Sequence, residues 1–149
     1  MTYFDEYELG SARRSHGRTA TEADIVPHAG QTGDFYPHHM DAEFAKTLPR
    51  GRRMAHGTLT LAISVGMIAG DVNDKAVSHG YDRVRFIRPV HIGDTVMSGS
   101  RIVALRDHSR QPEVFGVAEE KVEVHNQHGE VIIAFVYLYL INRRPGSSS

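Results

Sequence analysis

The chain has 149 residues, a length that suits one domain with a single hydrophobic core. Its 17 basic and 18 acidic residues give a formal net charge of −1, which argues against nucleic acid or an anionic membrane surface as a partner. The chain has no cysteine, so a disulfide framework, a thiol nucleophile and a zinc–thiolate site are excluded.

The N-terminal residues lack the basic-then-apolar pattern of a secretion signal. No apolar run reaches the roughly 18 residues that a membrane-spanning helix requires. We therefore expect a cytoplasmic protein with no membrane segment.

Two short helices are predicted in the first half of the chain. Thr21 can cap a helix whose third residue is Asp24, and we expect this helix to end before Gly30. The second helix is predicted to start at Asp41 and to bury Phe44 and Ala45.

The stretch from Thr58 to Ala69 predicts a buried helix. Its residues are apolar almost all the way round, without the polar stripe of a surface helix. At about 1.5 Å per residue this helix is roughly 18 Å long. Such a helix has to be covered by the rest of the chain.

Four strand-like runs follow the apolar helix, and the short connections between them indicate antiparallel neighbours. The last run is apolar on both faces, and its β-branched and aromatic residues favour a central strand over a helix. A further strand is expected near Tyr3 to Tyr7. The four runs lie at about 79–88, 95–106, 113–124 and 131–141.

Together these elements predict an α+β fold with one domain over residues 1–142. In this fold a curved antiparallel β-sheet is wrapped around the long central apolar helix. Residues 143–149 have no apolar side chain to pack and are predicted to form a disordered tail.

The densest polar segment is Gly33-Asp34-Phe35-Tyr36-Pro37-His38-His39-Met40-Asp41. Pro37 favours an extended backbone at Tyr36, so Asp34 and His39 should stand on the two limbs of a bent segment. Both side chains could then reach one water molecule. An Asp and a His that share a water can work as a general acid–base pair.

Two other interpretations fit these residues. Asp34 could cap the loop by accepting backbone N–H groups, and His39 could be a half-buried histidine with a structural hydrogen bond. Asp34, His38, His39, Asp41 and His56 could also bind a metal ion. Their spacing matches none of the common metal motifs, so no metal is predicted.

A second polar feature, Met54-Ala55-His56-Gly57-Thr58-Leu59, stands at the entrance of the apolar helix. The Gly57 amide would be one of the unpaired N–H groups at the helix N-terminus, where the helix dipole favours negative charge. Such an amide can serve as half of an oxyanion hole. Gly57 could instead be only a cap or a close-packing residue, and His56 is expected to be structural rather than catalytic.

Four segments, in the right order, resemble the MaoC-like dehydratases and (R)-specific enoyl-CoA hydratases. The specific one is residues 33–41, which resembles the hydratase motif of Gly-Asp, a proline, then His and a further Asp. Residues 18–25 resemble the opening helix of that family, 55–57 its oxyanion segment, and 84–94 its strand and turn. The resemblance covers nearly the whole chain and implies a hotdog fold.

The resemblance also implies a function, the reversible hydration of a 2-enoyl-CoA by a hydro-lyase. It assigns the catalytic pair to Asp34 and His39 and the oxyanion donor to the backbone N–H of Gly57. Water held by the pair would attack C3, and C2 would then be protonated; which residue is the base stays open. The acyl-CoA is the substrate, no separate cofactor is implied, and a homodimer or larger homo-oligomer is implied.

Departures from the family pattern concern the substrate pocket. Tyr36 stands where asparagine is common and His38 where an aliphatic residue is usual, which makes the predicted pocket wall bulkier and more polar. Ser64 stands near the position where some relatives place a serine that supports the aspartate. The predicted substrate-binding residues are Tyr36, His38, His56 and Ser64.

Two other functions remain open for this sequence. Related enzymes on the same fold hydrolyse acyl-CoA, so a thioesterase that releases free CoA thiol is one alternative. The other is a non-catalytic acyl-CoA-binding subunit, against which the intact Asp34 and His39 pair argues.

Overall fold

A computed structural model describes residues 3–69 and 73–146 of the chain. A 3-10 helix at Phe4–Glu6 precedes the longer elements. In chain order the elements are β1 (Ala12–Arg14), β2 (Arg18–Thr19), α1 (Glu22–Thr32), α2 (Pro37–Met40), α3 (Ala42–Ala45), α4 (Gly57–Ile68), β3 (Ala76–Phe86), β4 (Thr95–Asp107), β5 (Phe115–His125) and β6 (Val131–Asn142).

The strands form an antiparallel sheet in the order β1-β4-β5-β6-β3, and the short strand β2 also pairs with β4. The predicted pairings of β4 with β5 and of β5 with β6 are confirmed. The short β3–β4 connection wrongly suggested that these two strands are neighbours, because β3 pairs with β6 instead. Strand β6 therefore has a neighbour on each side, as predicted for the last apolar run.

Helix α4 packs on the inner face of this sheet. Its residues Leu59 and Ile63 are buried together with Val122 of β5 and with Ile133 and Phe135 of β6. Burial of such apolar side chains is the main source of stability in a domain of this size. The predicted α+β hotdog architecture, a curved antiparallel sheet around one long apolar helix, is confirmed.

Helix α1 begins as predicted but ends later. Asp24 Oδ2 accepts the Thr21 N–H at 2.8 Å, which completes the expected cap. The helix continues through Gly30 to Thr32 and ends at Gly33, whose φ of 77° lies in the left-handed region that glycine adopts without strain. The loop that follows therefore starts at a fixed point.

The predicted second helix consists of two short helices. Asp41 caps α3 as expected, because its Oδ1 accepts the N–H groups of Glu43 and Phe44 at 2.9 Å. Helix α2 precedes it and has Pro37 at its first position, where a missing N–H costs nothing. The predicted burial of Ala45 is confirmed, whereas that of Phe44 is wrong, because Phe44 is 40% exposed.

The N-terminal segment also differs from the prediction. The strand expected near Tyr3 to Tyr7 is the short 3-10 helix, which places Phe4 in a second apolar cluster with Ile102 and Ala118. Strands β1 and β2, which were not predicted, have no buried residue and so lack an apolar pattern.

An ion pair between Arg13 and Glu120 connects β1 to the sheet. Arg13 Nε and Nη2 donate to the two carboxylate oxygens at 2.8 and 2.7 Å, and the Ser100 hydroxyl donates to the same group at 2.6 Å. Burial alone would raise the pKa of the Glu120 carboxyl, but these bonds hold the pKa below its usual value. The carboxylate is therefore charged inside the protein.

Replacing Arg13 with Met is expected to lower the free energy of unfolding by about 1 to 3 kcal/mol, because it removes two hydrogen bonds from the buried Glu120 charge at a site that water can partly reach. Urea unfolding at neutral pH measures the change. The matched control is Arg14→Met on the opposite face of the same strand, which should change stability by less than about 0.5 kcal/mol. Equal losses in the two variants would contradict this role of the ion pair.

Within residues 3–69 and 73–146, no helix is long and apolar enough to cross a membrane. The extent of the domain and the disorder of residues 143–149 stay predictions. Of the tail, 147–149 lie outside the described residues, whereas Arg143 Nε donates to the Pro112 carbonyl at 2.8 Å.

Candidate active site

Asp34 lies directly after the residue that ends α1. Its N–H donates to Thr32 Oγ1 and its Oδ1 accepts the Tyr36 N–H, both at 3.3 Å. These turn contacts orient the half-exposed carboxylate so that its other oxygen, Oδ2, is the one nearest to His39. The loop-cap and acid–base interpretations of Asp34 thus concern different oxygens of one carboxylate.

His39 lies on α2 and is 6% exposed. Its Nδ1 is 2.7 Å from the Met54 carbonyl oxygen, and because a carbonyl only accepts, Nδ1 carries the proton of this bond. Its Nε2 is 3.9 Å from Asp34 Oδ2, too far for a direct hydrogen bond but suited to a bridging water. In the neutral ring, Nε2 therefore presents a lone pair to the space beside Asp34.

The surroundings of His39 favour its neutral form. Burial lowers the pKa of the imidazole below its ordinary value, and the neighbouring rings of His56 and His38 lower it further. The Met54 carbonyl and the Asp34 carboxylate act in the opposite direction without reversing the shift. At neutral pH the ring is therefore able to accept a proton at Nε2.

Gly57 is the first residue of α4, so its N–H has no partner in a preceding helical turn. It borders a cavity of about 420 Å³ whose wall also contains His38, His39 and Arg88. A Cβ atom at position 57 would lie 3.1 Å from the Phe86 ring, which is tighter than ordinary packing. Glycine here lets Phe86 approach the start of the helix and close one side of the cavity.

The four predicted substrate-binding residues fall into two groups, one at the cavity and one buried away from it. His38 lines the cavity, and the exposed Tyr36 packs against it with ring centroids 4.4 Å apart. His56 and Ser64 are 1% and 0% exposed and do not border this cavity. The Ser64 hydroxyl donates to the Thr60 carbonyl at 2.6 Å within α4, so it supports neither Asp34 nor the cavity. A contact with substrate stays a prediction for Tyr36 and His38, while the buried positions of His56 and Ser64 argue against one.

Metal binding requires a converging set of donor atoms. Within the described residues, Asp34, His39 and His56 form a group whose candidate ligand atoms lie within 4.8 Å of one another. However, the His39 and His56 rings stack with an interplanar angle of 26°, so the lone pairs of their nitrogens lie in nearly parallel planes. His56 Nε2 is also bonded to the Asp34 main-chain oxygen. This geometry gives no support for a bound metal ion. The prediction from sequence that the site holds no metal stays a prediction.

Two features of the site were not found from sequence. The Met54 carbonyl fixes the tautomer of His39, but a main-chain acceptor leaves no mark on residue type. Phe86 reaches the site across the fold from β3, and only the register of β3 with β6 brings it there. Pattern within one segment cannot reveal such contacts.

Comparison with known proteins gives matches to one domain family, whose members are named for different functions. The family model for the MaoC like domain matches residues 7–125. Protein MaoC of Klebsiella aerogenes is 36% identical over 95 residues, which are 63% of this chain but 28% of that protein, so the chain spans less than a third of its length. The (R)-specific enoyl-CoA hydratase of Rhodospirillum rubrum is 28% identical over 105 residues, 70% of this chain and 72% of that one. The solved structure of the monoamine oxidase regulatory protein of Archaeoglobus fulgidus has a TM-score of 0.88 at 37% identity and covers 96% of this chain and 95% of the other.

Proposed function

The chain belongs to the MaoC-like domain family, and from this premise we propose that it is a hydratase that adds water reversibly across the 2,3 double bond of a 2-enoyl-CoA. One observation carries the proposal: His39 Nε2, 3.9 Å from Asp34 Oδ2, shares a cavity with Gly57 at the start of α4. The similarity to a named enoyl-CoA hydratase supports it. No cofactor other than the CoA thioester itself enters the proposal.

In the proposed reaction a water molecule lies between Asp34 Oδ2 and His39 Nε2. The imidazole takes one proton from the water as the oxygen bonds to C3, and the double-bond electrons move through C2 onto the thioester oxygen. The Gly57 N–H stabilises this enolate oxygen, helped by the helix dipole. The imidazolium then returns the proton to C2, so that the elements of one water are added.

His39 is the base in this proposal, with Asp34 orienting the water. The neutral ring has its only N–H on Nδ1, bonded to Met54, so Nε2 can accept a proton but cannot donate one. A mechanism that begins with charged His39 is less favourable, because burial lowers the pKa of this group. The Asp34 carboxylate stabilises the imidazolium that forms during the reaction.

The pH dependence of the rate follows from this assignment. Protonation of His39 removes the acceptor, so kcat/KM should fall as the pH decreases through the pKa of His39 in the free enzyme. Because burial lowers that pKa, the loss should occur below the ordinary histidine value of 6.5. Asp34 raises the pKa of His39, so Asp34→Asn should move the acid limb of its residual activity to lower pH. An acid limb above the ordinary histidine value would argue against His39 as the base.

We also propose that two copies associate through β3. This strand pairs only with β6 among the described strands, so its other edge is open. It exposes Val77, Tyr81 and Phe86, and an open strand edge with apolar side chains readily pairs with another chain. Sedimentation of the purified protein tests for a dimer. The cytoplasmic location of the protein stays a prediction.

A direct test incubates the purified protein with short, branched and carboxylated 2-enoyl-CoAs and follows the enoyl absorbance together with free thiol. Loss of the enoyl signal without thiol release is the expected result. Release of thiol would instead favour a thioesterase, and binding without either change would favour a non-catalytic acyl-CoA-binding subunit. Either outcome would contradict the proposed hydratase.

A further inference from the structure

His56 lies next to each of the three proposed catalytic residues, although its ring lies outside the cavity. It immediately precedes Gly57 in the chain. Its Nε2 is 2.8 Å from the main-chain oxygen of Asp34, and its ring stacks on His39 with centroids 3.8 Å apart. His56 thus connects the backbone of Asp34, the ring of the base and the residue that carries the oxyanion donor.

The Asp34 contact defines the direction of the hydrogen bond. A carbonyl only accepts, so His56 Nε2 is the donor. The other ring nitrogen, Nδ1, is buried and has no hydrogen-bond partner among the described residues. The Nε2–H tautomer is therefore the form of His56 that satisfies the surroundings best, and this tautomer holds the backbone of Asp34 rather than its carboxylate.

The position of the His56 ring is itself fixed by α4. The His56 carbonyl accepts the Thr60 N–H at 3.0 Å and the Thr60 hydroxyl at 3.1 Å. The residue is 1% exposed, so its ring cannot change rotamer without displacing packed neighbours. Because the ring is fixed at the start of α4, its hydrogen bond fixes the position of the Asp34 loop relative to that helix.

We propose that His56 is a positioning residue, which holds the Asp34 backbone by its Nε2–H and the His39 ring by stacking, so that both groups reach one water. The inference rests on the proposed hydratase function and adds to it a residue that touches no substrate. Displacement of a reacting group by about 1 Å can cost on the order of 100-fold in rate. His56 therefore affects turnover more than substrate binding.

His56→Leu removes the donor and keeps much of the volume, whereas His56→Gln keeps an N–H₂ group that can reach the Asp34 carbonyl. We expect His56→Leu to lower kcat by about 10- to 100-fold and to change KM by less than about threefold. His56→Gln should restore part of the lost kcat, because it keeps the donor to Asp34 but not the ring that stacks on His39. Equal activity of the Leu variant and the wild type, or no recovery with Gln, would overturn the proposal.

His91 provides a matched control in the same chain. It is also 1% exposed, its Nδ1 is 2.8 Å from the Arg53 carbonyl, and its Nε2 has no partner among the described residues. His91→Leu removes a comparable buried bond to a carbonyl, without a ring contact to His39. It should lower thermal stability and reduce kcat per folded protein by far less than His56→Leu does, which separates positioning from a general loss of stability.

A second readout does not depend on activity. The pKa of His39 is measured by NMR with and without Asp34→Asn, since the Asp34 charge raises that pKa and its loss should lower it. The other titratable neighbours that act on His39 are His38 and His56. The decrease in the His39 pKa that Asp34→Asn causes should be smaller in the His56→Leu background and should persist in the His56→Gln background.

The two tests distinguish the inference from the function it rests on. A wild type that hydrates no enoyl-CoA would refute the proposed function, while the NMR comparison would still decide whether His56 holds Asp34 beside His39. An undiminished effect of Asp34→Asn in the His56→Leu background would overturn the positioning role even in an active hydratase.

Discussion

Asp34→Asn is expected to lower kcat for enoyl-CoA hydration by about 10²- to 10³-fold, because it removes the charge that orients the water and stabilises the imidazolium. Asn keeps an Oδ1 that can accept the Tyr36 N–H, so the turn that presents residue 34 should persist. It lacks the negative charge that stabilises the imidazolium. Its amide can also donate a hydrogen bond to His39 Nε2, which blocks the lone pair that would accept a proton from water. Steady-state kinetics of the folded variant measure the loss.

The partner variant shows whether the two residues act as one unit. His39→Gln should cause a loss of the same order, and the double variant should be little slower than the slower single variant, because groups that serve one step are not additive. Thermal unfolding of all three variants checks that each is folded. Multiplicative losses would indicate that Asp34 and His39 serve separate functions.

Gly57→Pro is expected to lower kcat by about 100- to 1,000-fold, the range found when one oxyanion donor is removed. Proline lacks the N–H that the proposal uses, yet it suits the first position of a helix. The preceding His56 has φ of −59° and ψ of 140°, which is the extended conformation favoured before proline. The substitution therefore removes the donor with little conflict in the backbone.

Gly57→Ala is the matched control, because it keeps the N–H and adds the same Cβ next to Phe86. That atom would lie 3.1 Å from the aromatic ring in both variants, so alanine reproduces the crowding that the proline Cβ causes. We expect the alanine variant to keep most of the kcat that the proline variant loses. Similar rates for the two variants would exclude the Gly57 amide as the oxyanion donor and attribute any loss to crowding.

The long elements could be predicted from sequence because each has a strong internal pattern. The apolar stretch that forms α4 and the four runs that form β3 to β6 were placed within a few residues of their observed bounds. The pairing of β3 with β6 was not predictable from the short β3–β4 connection, because it depends on packing between segments that are distant in the sequence. Short elements without buried residues, such as β1 and β2, carry no such pattern.

The candidate site was partly predictable for the same reason. Asp34, His39 and Gly57 stand in local motifs, and the structure brings these three residues to one place. The roles of His56 and Ser64 depended on which way their side chains turn within the fold. Sequence could not show that Ser64 bonds back to its own helix or that His56 holds the carbonyl of Asp34.

The most direct test of the central claim is the reaction of a 2-enoyl-CoA in water labelled with heavy oxygen, followed by mass spectrometry of the products from the wild type and Asp34→Asn. The proposal predicts that the wild type places one labelled oxygen on C3 of an intact CoA thioester and that Asp34→Asn does so far more slowly. Label in a free carboxylate together with released CoA would contradict the hydratase and identify hydrolysis of the thioester. Equal initial rates of C3 labelling by the two proteins would contradict the role of Asp34.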